Sequence, residues 1–236
     1  MIEFEKKRTS RTSCGGYCLR ILVCALGFFC VSLGVAATAT SDLGTSPISS
    51  VAWVAHRVSA IAPDLPVVSF GTTSFVLNVI FFLMQWVIQR RNFGLVQFLQ
   101  LPCTFLFGLS IDFCMLLCSH LPVGNYGVRI LLVVAGCMVV AAGLVLEISA
   151  DVLYLPGDGI VKTLADVFRL KMGIMKASFD VFLTLASVVV SYLAIRQFVG
   201  VREGTVIAAF AVGFFLRLFN PLIGKLRAAL VPDAPK

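Results

Sequence analysis

Six apolar stretches, near residues 19–40, 67–89, 94–118, 129–150, 175–198 and 203–224, each approach or exceed the roughly 20 residues a helix needs to cross the hydrocarbon core of a bilayer. Short loops carrying Pro, Gly or charge separate them. Inside lipid every backbone polar group must be paired within the chain, so spans of this length are helices. Composition agrees, because 59% of the 236 residues are hydrophobic and 13% are charged, where a soluble domain carries about 25% charged residues. Six such spans use roughly half the chain and leave too little for a separate soluble enzyme domain of ordinary size. The expected fold is an all-helical polytopic membrane protein.

The first run, Ile21 to Ala39, follows Lys6, Lys7, Arg8 and Arg11 and ends in Ala37-Thr38-Ala39, a sequence similar to a signal-peptide cleavage site. Signal-peptide cores are shorter, so the run reads as a retained first span. A cytoplasmic N-terminus then puts Lys6, Lys7, Arg8, Arg11, Arg90, Arg91, Lys162, Arg169, Lys171, Lys225, Arg227 and Lys236 on the cytoplasmic side, and leaves Arg57, Arg129, Arg196 and Arg202 outside or at the outer margin. That bias is the positive-inside signature of a multi-pass membrane protein with both termini cytoplasmic. It also accounts for the +7 net charge without a nucleic-acid partner. The division expected is a basic N-terminal segment at 1–18, three-span units at 19–120 and 121–226, and a tail at 227–236.

Cys24, Cys30, Cys103, Cys114 and Cys137 lie within apolar runs, where a thiol packs as a small hydrophobe. Cys14 and Cys18 have no further ligands at metal-site spacing, so they read as reduced thiols and no metal or cofactor is expected. The chain has no G-x-S-x-G, H-E-x-x-H or phosphate-loop motif. His56 and His120 fall near the outer margin. No enzymatic activity is expected, and any transport would be secondary or depend on another subunit.

The halves repeat. Gly27, Gly34 and Asp42 have the spacing of Gly136, Gly143 and Asp151, at a constant offset of 109 (136 − 27, 143 − 34, 151 − 42). Leu43 to Ile48 lies over Leu155 to Ile160 if the second half carries three more residues, Ser74-Phe75 matches Ser178-Phe179, and Gly108 matches Gly213. Three spans per unit is an odd number, so the second unit enters from the opposite face, giving two inverted three-span repeats as in many secondary transporters. Each unit also holds a short segment, 47–61 and 159–170, too short to cross and expected to be re-entrant or interfacial. Thr45-Ser46-Pro47 supplies a hydroxyl N-cap for the first and Gly157-Asp158-Gly159 a carboxylate N-cap for the second.

Four motifs, Leu43-Gly44-Thr45-Ser46-Pro47, Gln97-Phe98-Leu99-Gln100-Leu101-Pro102 leading to Gly108 and Asp112, Gly157-Asp158-Gly159-Ile160-Val161, and Val201-Arg202-Glu203-Gly204-Thr205, together resemble the YczE/YyaS/YitT-like family of bacterial membrane proteins over roughly residues 20–225. The resemblance implies a multi-span plasma-membrane protein and supplies no catalytic residues.

Ionisable groups in a span cost at least about 2.5 kcal/mol near its centre and are functional candidates. Asp112, Glu147, Asp180 and Arg217 qualify. Asp112 and Arg217 each stand four residues beyond a repeat-equivalent glycine, which predicts either a charge pair between the halves or two side chains snorkelling to their own interfaces. Glu147 and Asp151, one turn apart, are expected to be neutralised by Lys162 or Arg169. The helix start at Thr45 and Ser46 is open to an anion, while Asp158 already fills the other, so converging starts would suit a zwitterion such as an amino acid. Simple capping is the alternative for each. Gln97 and Gln100, with Asn78 and Thr184, line a pathway or bond between helices. The expectation is a secondary transporter of a small polar solute in which Asp112 or Asp180 carries the coupling proton. A non-transporting accessory or scaffold protein, working with a second copy or another membrane protein, is the alternative.

Overall fold

A computed structural model describes residues 14–61, 66–90, 93–196 and 200–230. The basic segment with Lys6, Lys7, Arg8 and Arg11, the residue Arg91, and the tail ending at Lys236 lie outside the described residues, as do the side chains of Cys14, Lys225 and Arg227.

Among the described residues eight α-helices follow in order: α1 (Cys14–Thr40), α2 (Pro47–Ile61), α3 (Phe70–Gln89), α4 (Gln100–Cys118), α5 (Tyr126–Ala150), α6 (Pro156–Phe168), α7 (Met172–Ile195) and α8 (Glu203–Leu230). A 3-10 turn, Leu95–Leu99, leads into α4. Extended pairing among the described residues is limited to one antiparallel bridge, Gly44 with Val201. All the helices except α2 and α6 are long and apolar enough to cross a membrane, six in number, so the chain is a multi-pass membrane protein. The short helix α6 starts at Pro156, three residues before the expected start, because proline suits the first turn and Leu155 is its N-cap.

The centre of the bundle is the antiparallel pair α1 and α5. Glycines let their backbones meet. A Cβ on Gly27 would stand 2.9 Å from the Gly143 carbonyl oxygen and one on Gly34 2.5 Å from that of Gly136, with the reverse contacts at 2.7 and 2.8 Å. Such close approach is how helices associate in lipid, where there is no hydrophobic drive to bring them together. Each end of the pair is tied by an arginine. Arg20 of α1 donates from Nε to the Ala150 carbonyl and from a terminal nitrogen to that of Asp151, both at 2.8 Å. Arg129 of α5 lies 3.8 Å from the Asp42 carboxylate just beyond α1. Asp42 and Asp151 end their helices in the left-handed region, at φ 57° and 47°, a conformation Asp tolerates better than most residues.

Around this pair, α4 packs on α1, α8 on α5, and α3 on α4, whereas among the described residues α7 and α8 do not pack along one another. The two short helices sit between α3 and α7. They enter from opposite ends, start inward. Ser50 in the first turn of α2 bonds Ser187 inside α7 at 2.7 Å, while later in α2 His56 Nδ1 lies 2.7 Å from the Val68 carbonyl, just before α3 begins. In α6 the Gly157 N–H donates to Asn78 in the middle of α3, and Thr163 accepts from Gln89 at the far end of α3, 2.6 Å away.

Candidate functional site

The starts of α2 and α6 meet inside the bundle. A Cβ on Gly157 would stand 3.2 Å from Ile48 Cγ2, so glycine is what lets the first turn of α2 reach that of α6. Ile48 and Val51 pack there against Phe81, Ile160, Val161, Phe179 and Leu183, closing the meeting point with apolar side chains. The Gln85 amide donates to the Pro156 carbonyl at 2.9 Å, holding the start of α6 against α3.

Charge collects beside this junction. Asp158 does not cap its own helix; its Oδ1 receives the Lys176 ammonium of α7 at 2.8 Å. Asp180, one turn on from Lys176, has a buried Oδ1 with no hydrogen-bond partner, and it feels the charges of both Lys176 and Asp158. Glu147 of α5 is 1% exposed. Its Oε1 accepts from the Leu155 N–H at 3.0 Å, and its Oε2 is buried without a partner. Asp158 and Lys176 are the charged groups within electrostatic reach of Glu147. The expected neutralisation of Glu147 by Lys162 or Arg169 is therefore corrected. Lys162 stands over the Tyr154 ring, and Arg169 ends α6 in a left-handed turn.

The remaining candidates are held apart from this cluster. Asp112 caps α3: its Oδ2 accepts from Ser69 and its Oδ1 from the Gly71 N–H, both at 2.6 Å. Arg217 is exposed on α8 and makes no ion pair among the described residues, so the Asp112–Arg217 pairing is not formed. Thr45 is fully buried and shares a 3.1 Å hydrogen bond with Thr38. Ser46 donates to Ser49 in the first turn of α2 at 3.2 Å. Gln97 sits in the 3-10 turn and Gln100 opens α4; each has a buried Oε1 without a partner.

Lys176 was not singled out from the sequence, although its spacing of four from Asp180 was a signal. The opposite end of the bundle holds a second charged group, in which Asp42 gathers Arg57 at 3.7 Å and Arg129 at 3.8 Å and its carbonyl accepts from Arg202 at 3.4 Å. These half-exposed contacts explain the position of Arg202 and tie α2, α5 and α8 to the end of α1, each for at most about 1 kcal/mol. Two shallow grooves of about 230 and about 410 Å³ are lined only by Val188, Val189, Tyr192 and Leu193 and by Ile80, Leu83, Met84, Val87 and Ile88, and neither touches the charged cluster. No group of His, Cys, Asp or Glu among the described residues is arranged to hold a metal.

No curated protein and no solved structure matches the chain. Residues 18–221 match a protein family described as one of unknown function, DUF6198. The match takes in both short helices and nearly all of the six spans, and the chain belongs to this DUF6198 family.

Proposed function

We propose that the protein is a secondary transporter of a small polar solute, an amino acid or related zwitterion, in the inner membrane of a bacterium, with both termini cytoplasmic and no enzymatic activity of its own. Kinship with the YczE/YyaS/YitT-like proteins is part of this reading. One observation carries it: two short helices enter the bundle from opposite ends and their first turns meet at Ile48 and Gly157. Discontinuous helices whose N-termini point at a mid-membrane site are the means by which many secondary transporters hold polar solutes without side-chain charge.

An inverted repeat supports the same reading. The offset of 109 carries Arg20, Gly27, Gly34, Thr38 and Asp42 onto Arg129, Gly136, Gly143, Glu147 and Asp151. It turns the Gly27–Gly143 crossing into the Gly136–Gly34 crossing, and the Arg20 clamp at the end of α5 into the Arg129 clamp at the end of α1. In this reading a two-fold axis lying in the membrane plane relates these contacts. Flux tests the proposal. Purified protein in proteoliposomes should exchange a labelled amino acid from a broad zwitterion panel, and Ile48→Trp should abolish exchange by wedging the two starts apart. No flux for any solute, with and without a pH gradient, overturns it.

Of the six spans α8 is the least buried, with Val206, Phe210, Phe214, Leu218 and Leu222 exposed along it, and this favours a second reading, a membrane scaffold that docks another span there. Failure of flux across the whole panel would leave that reading in place.

A further inference from the structure

We propose that Glu147, Asp158, Lys176 and Asp180 form a proton-loading site, in which the Lys176 ammonium moves between Asp158 and Asp180 and the carboxylates it does not reach are balanced by protons from water. The inference deepens the transport reading and rests on it for its purpose, but proton binding itself requires no solute.

The charge balance comes first. Glu147, Asp158 and Asp180 lie within electrostatic reach of one ammonium, which contacts Asp158 alone, so Glu147 and Asp180 have no ion-pair partner among the described residues in a region where an unpaired charge is costly. Two oxygens record the deficit, Glu147 Oε2 and Asp180 Oδ1, both buried and without a hydrogen bond. Lys176 and Asp180 are four apart on α7 and so lie on one face, which lets the ammonium trade its 2.8 Å contact with Asp158 for one with Asp180. The side chains of Lys176 and Asp158 are 35% and 21% exposed, whereas Glu147 is 1% exposed.

The neighbours of Glu147 point to a proton as the occupant. Lys176 and Asp158 face it from α7 and α6, and Cys24 faces it from α1 with Cys103 of α4 behind. No arrangement of metal-binding side chains is present among the described residues. The two-fold relation adds an internal control. Thr38 occupies the position equivalent to Glu147, is equally buried, and braces its own helix connection with a hydroxyl on Thr45. Glu147 braces Leu155 in the same way, so a carboxylate is more than that job needs.

Infrared difference spectroscopy on the purified full chain in nanodiscs, titrated from acid to mildly alkaline pH, reads the site directly. The expected signal is the high-frequency carbonyl stretch of a carboxylic acid shielded from water, shifted by deuterium. E147T, which borrows the residue of the other half, and D180N should each lose part of it, and the double variant all of it. K176M should enlarge it. Should E147T fail to give a monodisperse protein, a displaced band in E147D serves instead. Absence of the band in the wild-type protein, or a band indifferent to substitution at both Glu147 and Asp180, overturns the proposal. Flux without the band would sink this site and leave transport standing; the band without flux would do the reverse.

Discussion

Among the intramembrane carboxylates, partners separate one role from another. Asp112 receives two 2.6 Å hydrogen bonds at the start of α3, where the helix dipole also favours a negative charge. It is a cap supplied by a neighbouring helix. Asp112→Ala should therefore cost about 1–2 kcal/mol of stability and lower the unfolding midpoint of the detergent-solubilised protein, with Asp112→Asn losing less. An unchanged midpoint for Asp112→Ala would show that the cap contributes nothing. The sequence marks Asp112, Asp180 and Glu147 alike, because each interrupts an apolar run. It cannot tell a cap from a charge cluster, since Ser69 lies 43 positions from Asp112 in the chain and Lys176 lies 18 from Asp158. The same limit hid the true partners of Glu147: Lys162 and Arg169 are close in sequence, but α6 carries them away from it.

Helices were legible where a single physical rule governs them. Length and hydropathy placed all six spans to within a few residues, and the α2 boundaries at Pro47 and Ile61 agree with the expected 47–61. The α6 start was misjudged because Asp158 looks like a cap when Pro156 in fact opens the helix. Glycine spacing correctly suggested close packing at Gly27, Gly34, Gly136 and Gly143, but the match between Gly108 and Gly213 did not predict equal surroundings. A Cβ on Gly34 would sit 2.5 Å from the Gly136 carbonyl oxygen, whereas one on Gly213 meets nothing within 4 Å. Gly34→Ala should then destabilise the protein by about 1–3 kcal/mol, as overpacking does in a tight core. Gly213→Ala should be neutral or mildly stabilising. Thermal unfolding of the two variants side by side checks this, and equal effects would mean that the α1–α5 crossing is not a close one.

At the scale of the whole molecule, α3 and α7 differ in what they pack against. In the first half, α3 closes on α4 through Gly71, Gly108 and Asp112; in the second, α7 and α8 stand apart. The residues offer a physical cause. Asp112 brings a negative charge to the N-terminal end of α3, while Arg217 would bring a positive charge toward the N-terminal end of α7, which the helix dipole opposes. The start of α7 has no side-chain cap of its own, with Lys171 at the N-cap position, so like charge is already present there. Arg217→Asp should remove this repulsion and draw α8 onto α7. Spin labels at Ile174 and Leu218, both exposed on their helices, in a background with the native cysteines replaced, would report a shorter distance distribution for Arg217→Asp than for the parent. An unchanged distribution would mean that the open α7–α8 side is set by something other than Arg217. A shortened one would make the positive charge of Arg217 the reason that α8 stands off α7 while α4 closes on α3.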